Sequence, residues 1–270
     1  MERKIIIFVL LLALHSISCK ESKNVLNASK NNSIVDKPLV IHFTETTGFD
    51  HETRTVSEKM FNHLGRELGF DVIQANASEV FENDEVMNEV DLIVFANTTG
   101  EDLLTPNQRK KVEHFIEAGG GFIGIHAASD THRTNWEYYN RLLGAIVQID
   151  PWHTASDYVA TMKHTDNHPL LADIPDPWIK EEEYYYWDLN GGTIDTERIN
   201  VLLEVEKTGP ESYDRKRPTA WYQELPSGTR SFYTSLGHMK WNYEDPTNDF
   251  RKLIRNGIVW TLADKLNQKN

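Results

Sequence analysis

The first half of the chain alternates short apolar runs with longer amphipathic stretches. Leu39–Phe43 is a mostly β-branched run, followed by a polar loop over 44–50 and by residues 51–68, whose apolar positions recur at helical spacing. Strand, loop, helix is the reading this pattern gives. Residues 70–74 and 91–96 repeat the strand signal, the second run ending in Asn97-Thr98-Thr99-Gly100. Thr105-Pro106 predicts a helix with proline at its first position, carried by Val112, Phe115 and Ile116 to Ala118 and stopped by Gly119-Gly120-Gly121. A fourth strand is predicted over 122–125.

Strands separated by helices imply right-handed crossovers and a mostly parallel sheet covered on both faces, an α/β three-layer sandwich. In such sheets ligands gather beyond the carboxyl ends of the strands. The loops over 44–51, 97–101 and 126–133 should therefore share one rim, where His51, His126 and Asp130 can converge. The second half is less regular. Residues 145–164 are mixed, 178–190 are aromatic and acidic, and 201–206 alternate like a strand. Residues 218–224 and 229–235 read as a hairpin turning on Pro226-Ser227-Gly228, so antiparallel strands should be added to the sheet here. A last helix is expected from Asp245-Pro246, with Phe250, Leu253, Ile254, Ile258 and Leu262 on one face. No internal repeat and no second domain boundary interrupts residues 38–265.

The amino terminus has its own pattern. Arg3-Lys4 precede an apolar run over 5–14, and Ser16-Ile17-Ser18 lead to Cys19. This reads as a signal peptide over 1–18 of the lipoprotein type, with Cys19 acylated, although Ser16 stands where such signals carry leucine. The alternative is an ordinary secretory signal with an incidental cysteine. Residues 19–37 have the composition of a flexible tether. The expected location is the bacterial envelope, lipid-anchored, with no other membrane contact. Formal net charge is −13, and losing residues 1–18, which carry Glu2 against Arg3 and Lys4, takes it to −14. That balance argues against nucleic acid as a partner. The oligomeric state is left open.

The segment from Gly119 to Asp130 (Gly-Gly-Gly-Phe-Ile-Gly-Ile-His-Ala-Ala-Ser-Asp) aims His126 at a strand-to-helix corner. In the class I glutamine amidotransferase-like fold, which this corner resembles, a Gly-x-Cys-x-Gly pattern places a thiol there. Cys19 is the one cysteine of the chain and lies in the export segment, so thiol chemistry is excluded. The same segment resembles the signature of the trehalose-utilisation (ThuA-like) family. So do Thr46-Thr47-Gly48-Phe49-Asp50-His51, His168-Pro169-Leu170, Glu181-Glu182-Glu183-Tyr184-Tyr185 and Phe232-Tyr233-Thr234-Ser235-Leu236-Gly237-His238, in that order. The resemblance implies a flavodoxin-like, amidotransferase-like fold and a carbohydrate as small-molecule partner.

His126 is either a general base or metal ligand, or a buried histidine satisfied by backbone. Small neighbours at 127–129 leave room for a ligand. Gly237 allows the chain to turn and present His238, which is otherwise a solvent-facing residue. Glu183 is the acid that the resemblance selects from an otherwise solvated acidic edge. His126, His238 and Glu183 are therefore the expected catalytic residues. His51, Asp130, His153, Tyr184, Trp187 and Trp241 are expected to bind substrate, since aromatic rings cover sugar faces and acids accept hydroxyl hydrogen bonds. No His-x-x-x-His or HExxH pair falls on a predicted helix, but a divalent ion, zinc, held by His126 and His238 remains open. No nucleotide-binding fingerprint is present. Three functions stay in play: an enzyme isomerising, eliminating or hydrolysing a disaccharide or keto-sugar, a non-catalytic sugar-binding lipoprotein, and a metal-dependent hydrolase of a non-sugar substrate.

Overall fold

The computed structural model describes residues 37–266. The predicted signal peptide, Cys19 and nearly all of the tether lie outside them. Nine strands form one sheet: β1 (Leu39–Phe43), β2 (Asp71–Ala75), β3 (Leu92–Ala96), β4 (Gly121–Ile125), β5 (Tyr158–His164), β6 (Trp178–Glu182), β7 (Asn200–Val205), β8 (Arg217–Glu224) and β9 (Arg230–Thr234). Their spatial order is β2-β1-β3-β4-β9-β8-β7-β5-β6. The first five are mutually parallel and the last four join antiparallel, so the sheet is flavodoxin-like with an antiparallel extension from the C-terminal half.

Alternation along each central strand feeds two cores. On one face Val40, Leu92, Val94, Ile123 and Phe232 pack under helices α1 (Arg54–Leu68) and α6 (Asp249–Thr261). On the other, Ile41, Phe43, Ile93, Phe95 and Phe122 meet α3 (Pro106–Glu117) and α4 (Glu137–Leu143). The short α2 (Asp84–Glu89) and α5 (Trp241–Glu244) complete the helices that bear on the argument. Every residue of β3 and β4 is buried, as strands covered on both faces require.

Local chemistry explains most boundaries. Thr105 caps α3 through a reciprocal capping box with Gln108, with Pro106 at the first position. The last helix starts at Asp249 and not Asp245, because Asn248 supplies the cap by accepting from the Phe250 amide. The last two strands of the sheet, β5 and the edge strand β6, were hidden in residues read as mixed or aromatic. Their outward positions carry apolar side chains, Val159 and Ile179, which blur the polar half of the alternation. Among the described residues no helix is long and apolar enough to cross a membrane.

Candidate functional site

The rim loops meet at the carboxyl end of the parallel strands. Thr47 and Gly48 donate backbone N–H groups to Thr99 O, Thr99 pairs with Asp130, and the Thr98 and Thr131 hydroxyls lie 2.8 Å apart. Two adjacent parallel strands then deliver two imidazoles. After β4 the chain makes one 3-10 turn, His126–Ser129, and His126 itself sits at φ 50°. A non-glycine residue in the left-handed region is held there by its surroundings, here by the Tyr233 hydroxyl donating to His126 O at 2.7 Å. After β9, Gly237 at φ 118° turns the chain toward His238. A side chain at Gly237 would press on the Tyr243 hydroxyl at 2.8 Å and Phe250 at 2.9 Å, so glycine is required there.

His126 is fully buried. Its Nδ1 lies 2.6 Å from Ser235 O, a carbonyl, so Nδ1 carries the proton and donates. Nε2 is therefore the lone-pair nitrogen. It lies 3.0 Å from the Tyr185 hydroxyl, 3.3 Å from His238 Nδ1 and 3.5 Å from Glu183 Oε1. The other Glu183 oxygen faces His238 Nδ1 at 3.4 Å, His153 Nδ1 at 3.4 Å and the Ser156 hydroxyl at 3.1 Å. His51 stands edge-on to both rings, with centroids 4.8 Å from His126 and 5.3 Å from His238, and its Nδ1 is buried with no hydrogen-bond partner. One donor atom each from His51, His126, Glu183 and His238 lies within 4.8 Å of all the others, a set that could hold a cation.

Electrostatics follow from this crowding. Burial holds the His51 imidazole down to about 2, helped by His126 and His238. Burial also lowers His238, again with help from His126. Burial pushes the Glu183 carboxyl upward, but it is outweighed by the hydrogen bond and charge that His126 offers when its second nitrogen is protonated, and by His153 and His238 in their charged forms, which hold Glu183 down at about 2. Asp130 is raised to about 6 by burial, against the pull of Arg133. The site thus favours neutral His51 and His238 beside an ionised Glu183.

A buried carboxylate next door sets the second corner. Glu182, with no exposed surface, accepts the backbone N–H of Gly237 at 3.0 Å, that of His238 at 3.1 Å and the Asn242 side-chain amide at 2.9 Å. Lys180 Nζ is 3.4 Å away. Such support fixes where a ligating or proton-carrying imidazole points.

In front of the cluster is a cavity of about 450 Å³, which His51, Asp130, His153, Glu183 and His238 all line. His126 does not line the cavity; it is fully buried against His238, Glu183 and Tyr185, which do. Three expected substrate-binding residues are not at this cavity. Tyr184 is fully buried and its hydroxyl donates to Lys180 O at 2.7 Å, while Trp187 is in the second core with its indole N–H on Pro218 O at 3.1 Å. Trp241 lies half-exposed against Lys180, 4.1 Å from its ring. Strand alternation accounts for Tyr184: Glu183 and Tyr185 turn to the cavity and Tyr184 away. Phe49, Ser156 and the positioning residue Glu182 were not anticipated; Tyr185 was read only as one of an aromatic run from Tyr184 to Trp187, and continuing the β6 alternation through 185 would have singled it out. A larger hollow of about 590 Å³ lies at the opposite end of the strands, where its charged groups are engaged in pairs such as Lys111 with Asp84 and Lys265 with Asp91.

A family profile described as trehalose utilisation, ThuA, matches residues 39–261. No curated protein sequence matches the chain. Among solved structures, a ThuA-like protein of Bacteroides uniformis is similar at TM-score 0.62 and 20% identity, covering 84% of this chain and 92% of its own. One from Parabacteroides merdae gives TM-score 0.66 and 18% identity over 87% and 93%. The cytoplasmic protein STM3548 of Salmonella typhimurium gives 0.57 and 13% over 83% and 98%. At these identities the likeness is one of fold.

Proposed function

The chain belongs to the ThuA trehalose-utilisation family, and on that premise we propose that it is an enzyme acting on a disaccharide or its keto derivative beside a bound divalent ion, zinc. His126, His238 and Glu183 hold the ion and His51 closes the set. The observation that carries this reading is spacing. Tetrahedral donors at zinc distances lie about 3.3–3.4 Å from one another; His126 Nε2 and His238 Nδ1 are 3.3 Å apart, one Glu183 oxygen is 3.5 Å from the first and the other 3.4 Å from the second, and one donor atom from each of these three and from His51 lies within 4.8 Å of the rest. The donor chemistry agrees with it. His126 gives its Nδ1 proton to a carbonyl, the arrangement that presents Nε2 to a cation, and the unpartnered His51 nitrogen gains a role.

When bound, the ion supplies Lewis-acid polarisation of a substrate carbonyl or hydroxyl oxygen. The chain's own residues do the rest. A keto group acidifies the neighbouring C–H, and His153, anchored through Nδ1 on Thr154 O at 2.6 Å, lines the cavity as the group that takes that proton and returns it to the product or leaving group. Tyr185, whose phenol burial keeps protonated, donates a hydrogen bond to the oxygen that gains charge. Return of the proton to carbon gives isomerisation, its delivery to the departing glycosidic oxygen gives elimination, and addition of a water molecule across the double bond so formed makes the net reaction hydrolysis. We place the protein in the bacterial envelope through a lipid on Cys19, a reading that palmitate labelling, lost in Cys19→Ala, would support.

The test is turnover of 3-keto-trehalose and 3-keto-sucrose by zinc-supplemented protein. The wild type should convert at least one, and His126→Ala or His238→Ala should slow it about 10²-fold or more. Unchanged turnover in both variants, or none in the wild type, would contradict the proposal.

A further inference from the structure

Large exposed aromatics normally sit singly on a protein surface and mean little. Here two of them frame one cavity: Phe49 is 65% exposed and Trp152 37%. Neither sits on loose backbone. Phe49 O accepts from the Thr99 hydroxyl at 3.0 Å and the Thr46 hydroxyl at 3.2 Å. Trp152 O accepts the Tyr186 N–H at 3.0 Å, and the preceding Pro151 O accepts the Gln148 amide at 2.7 Å. Pinned backbone with an uncovered ring is costly to build unless something covers the ring.

The polar groups beside the rings define what that is. The Arg133 guanidinium lies over one face of the Trp152 indole, 5.0 Å from its centroid, and 3.6 Å from Asp130 Oδ1, which leaves a ligand the other face and the exposed edge of the ring. Asp130 and Ser156 line the same cavity as the indole. An apolar plate flanked by a carboxylate and a hydroxyl matches a pyranose ring, with its C–H face and equatorial hydroxyls, better than it matches a planar heterocycle or an acyl chain.

We propose that Trp152, Phe49, Asp130 and Ser156 form a saccharide subsite in which the indole stacks on one pyranose ring and Asp130 accepts its hydroxyls, presenting the adjoining bond to the His126–His238–Glu183 cluster. The subsite rests on the saccharide substrate argued above and is independent of the metal and of the reaction.

Calorimetric titration of the full chain with trehalose, maltose and 3-keto-trehalose, with zinc content measured in the same samples, tests it. Trp152→Ala should weaken saccharide binding about tenfold and Trp152→Phe should restore it to within about threefold. Asp130→Asn should weaken it by a similar factor, and zinc content should not change. Wild-type affinity in Trp152→Ala, or no binding of any of the three sugars by the wild type, overturns the subsite. If the wild type holds no zinc yet Trp152→Ala still weakens binding, the metal reading fails and the subsite stands. If zinc and turnover are intact and Trp152→Ala leaves affinity unchanged, the subsite alone fails.

Discussion

Two histidines in the parallel half of the sheet, on strands separated by β3, are equally inaccessible: His42 in β1 and His126 at the end of β4. His42 has both ring nitrogens engaged by side chains, Nδ1 on Gln74 Oε1 at 2.6 Å and Nε2 with the Ser57 hydroxyl at 2.8 Å, and it stacks on Phe61 at 4.1 Å. His126 spends one nitrogen on a carbonyl and turns the other into a cluster of ionisable groups. Burial therefore says nothing about which histidine works. What separates them is where the second nitrogen goes, and behind that, whether the residue lies within a strand or at its corner.

The sharpest way to break the contrast is to remove each ring. His126→Ala should cost about 10² to 10⁴ in keto-sugar turnover per folded molecule. His42→Ala should instead cost about 2–4 kcal/mol in denaturant unfolding, because it opens a hole and strands Gln74 and Ser57, with turnover per folded molecule preserved. Equal effects on that turnover would erase the distinction.

Acid should sharpen it next. Burial lowers His42 from 6.5 to about 4, against the Gln74 hydrogen bond, so the folded protein keeps the ring neutral while the unfolded chain protonates it. Its contribution is complete above pH 6.5 and is lost as pH falls from 6.5 to 4, roughly 3 kcal/mol in all. His51, also lowered, acts in the same direction, continuing to about pH 2. Asp130 acts oppositely: its raised carboxyl binds a proton in the folded state between about pH 6 and 3.8, returning some stability there. Unfolding followed by denaturant from pH 7.5 to 4 should show a net decline that His42→Asn flattens, and a flat wild-type profile would speak against the buried neutral rings.

A third test addresses support. Glu182→Gln removes the charge that holds the Gly237 and His238 amides, and should weaken zinc affinity about 10- to 100-fold while a zinc-free sample loses about 1.5–3 kcal/mol. A loss of stability with unaltered zinc affinity would make Glu182 merely structural. The smallest effect is expected at Trp241, outside the cavity. Trp241→Ala should leave saccharide binding unchanged and cost about 0.5–1 kcal/mol through its contact with Lys180.

How much of this could be read from the chain depended on the half. In the parallel half the apolar runs, the Thr105 cap and the triple glycine lie close in sequence to the structures they make, and the rim that gathers His51, His126 and Asp130 follows from topology. The antiparallel half was harder, since β5 and β6 show apolar side chains outward at Val159 and Ile179, which hides the alternation. The run from Tyr184 to Trp187 looked like a sugar platform because aromatic residues read alike in cores and binding sites. Only the alternation of side chains from β6 onward divides Tyr185, at the cavity, from Tyr184, in the core. Glu182 was invisible for a related reason: three consecutive acids read as a solvated edge, yet the sheet buries the second one under the His238 corner.

Zinc stoichiometry, measured by elemental analysis on matched samples after chelation and reloading, tests the central claim most directly. The account predicts close to one ion per chain in the wild type and in His42→Asn, and loss of that ion in His126→Ala. A wild type that takes up no ion, or a His126→Ala protein that retains it, would contradict it.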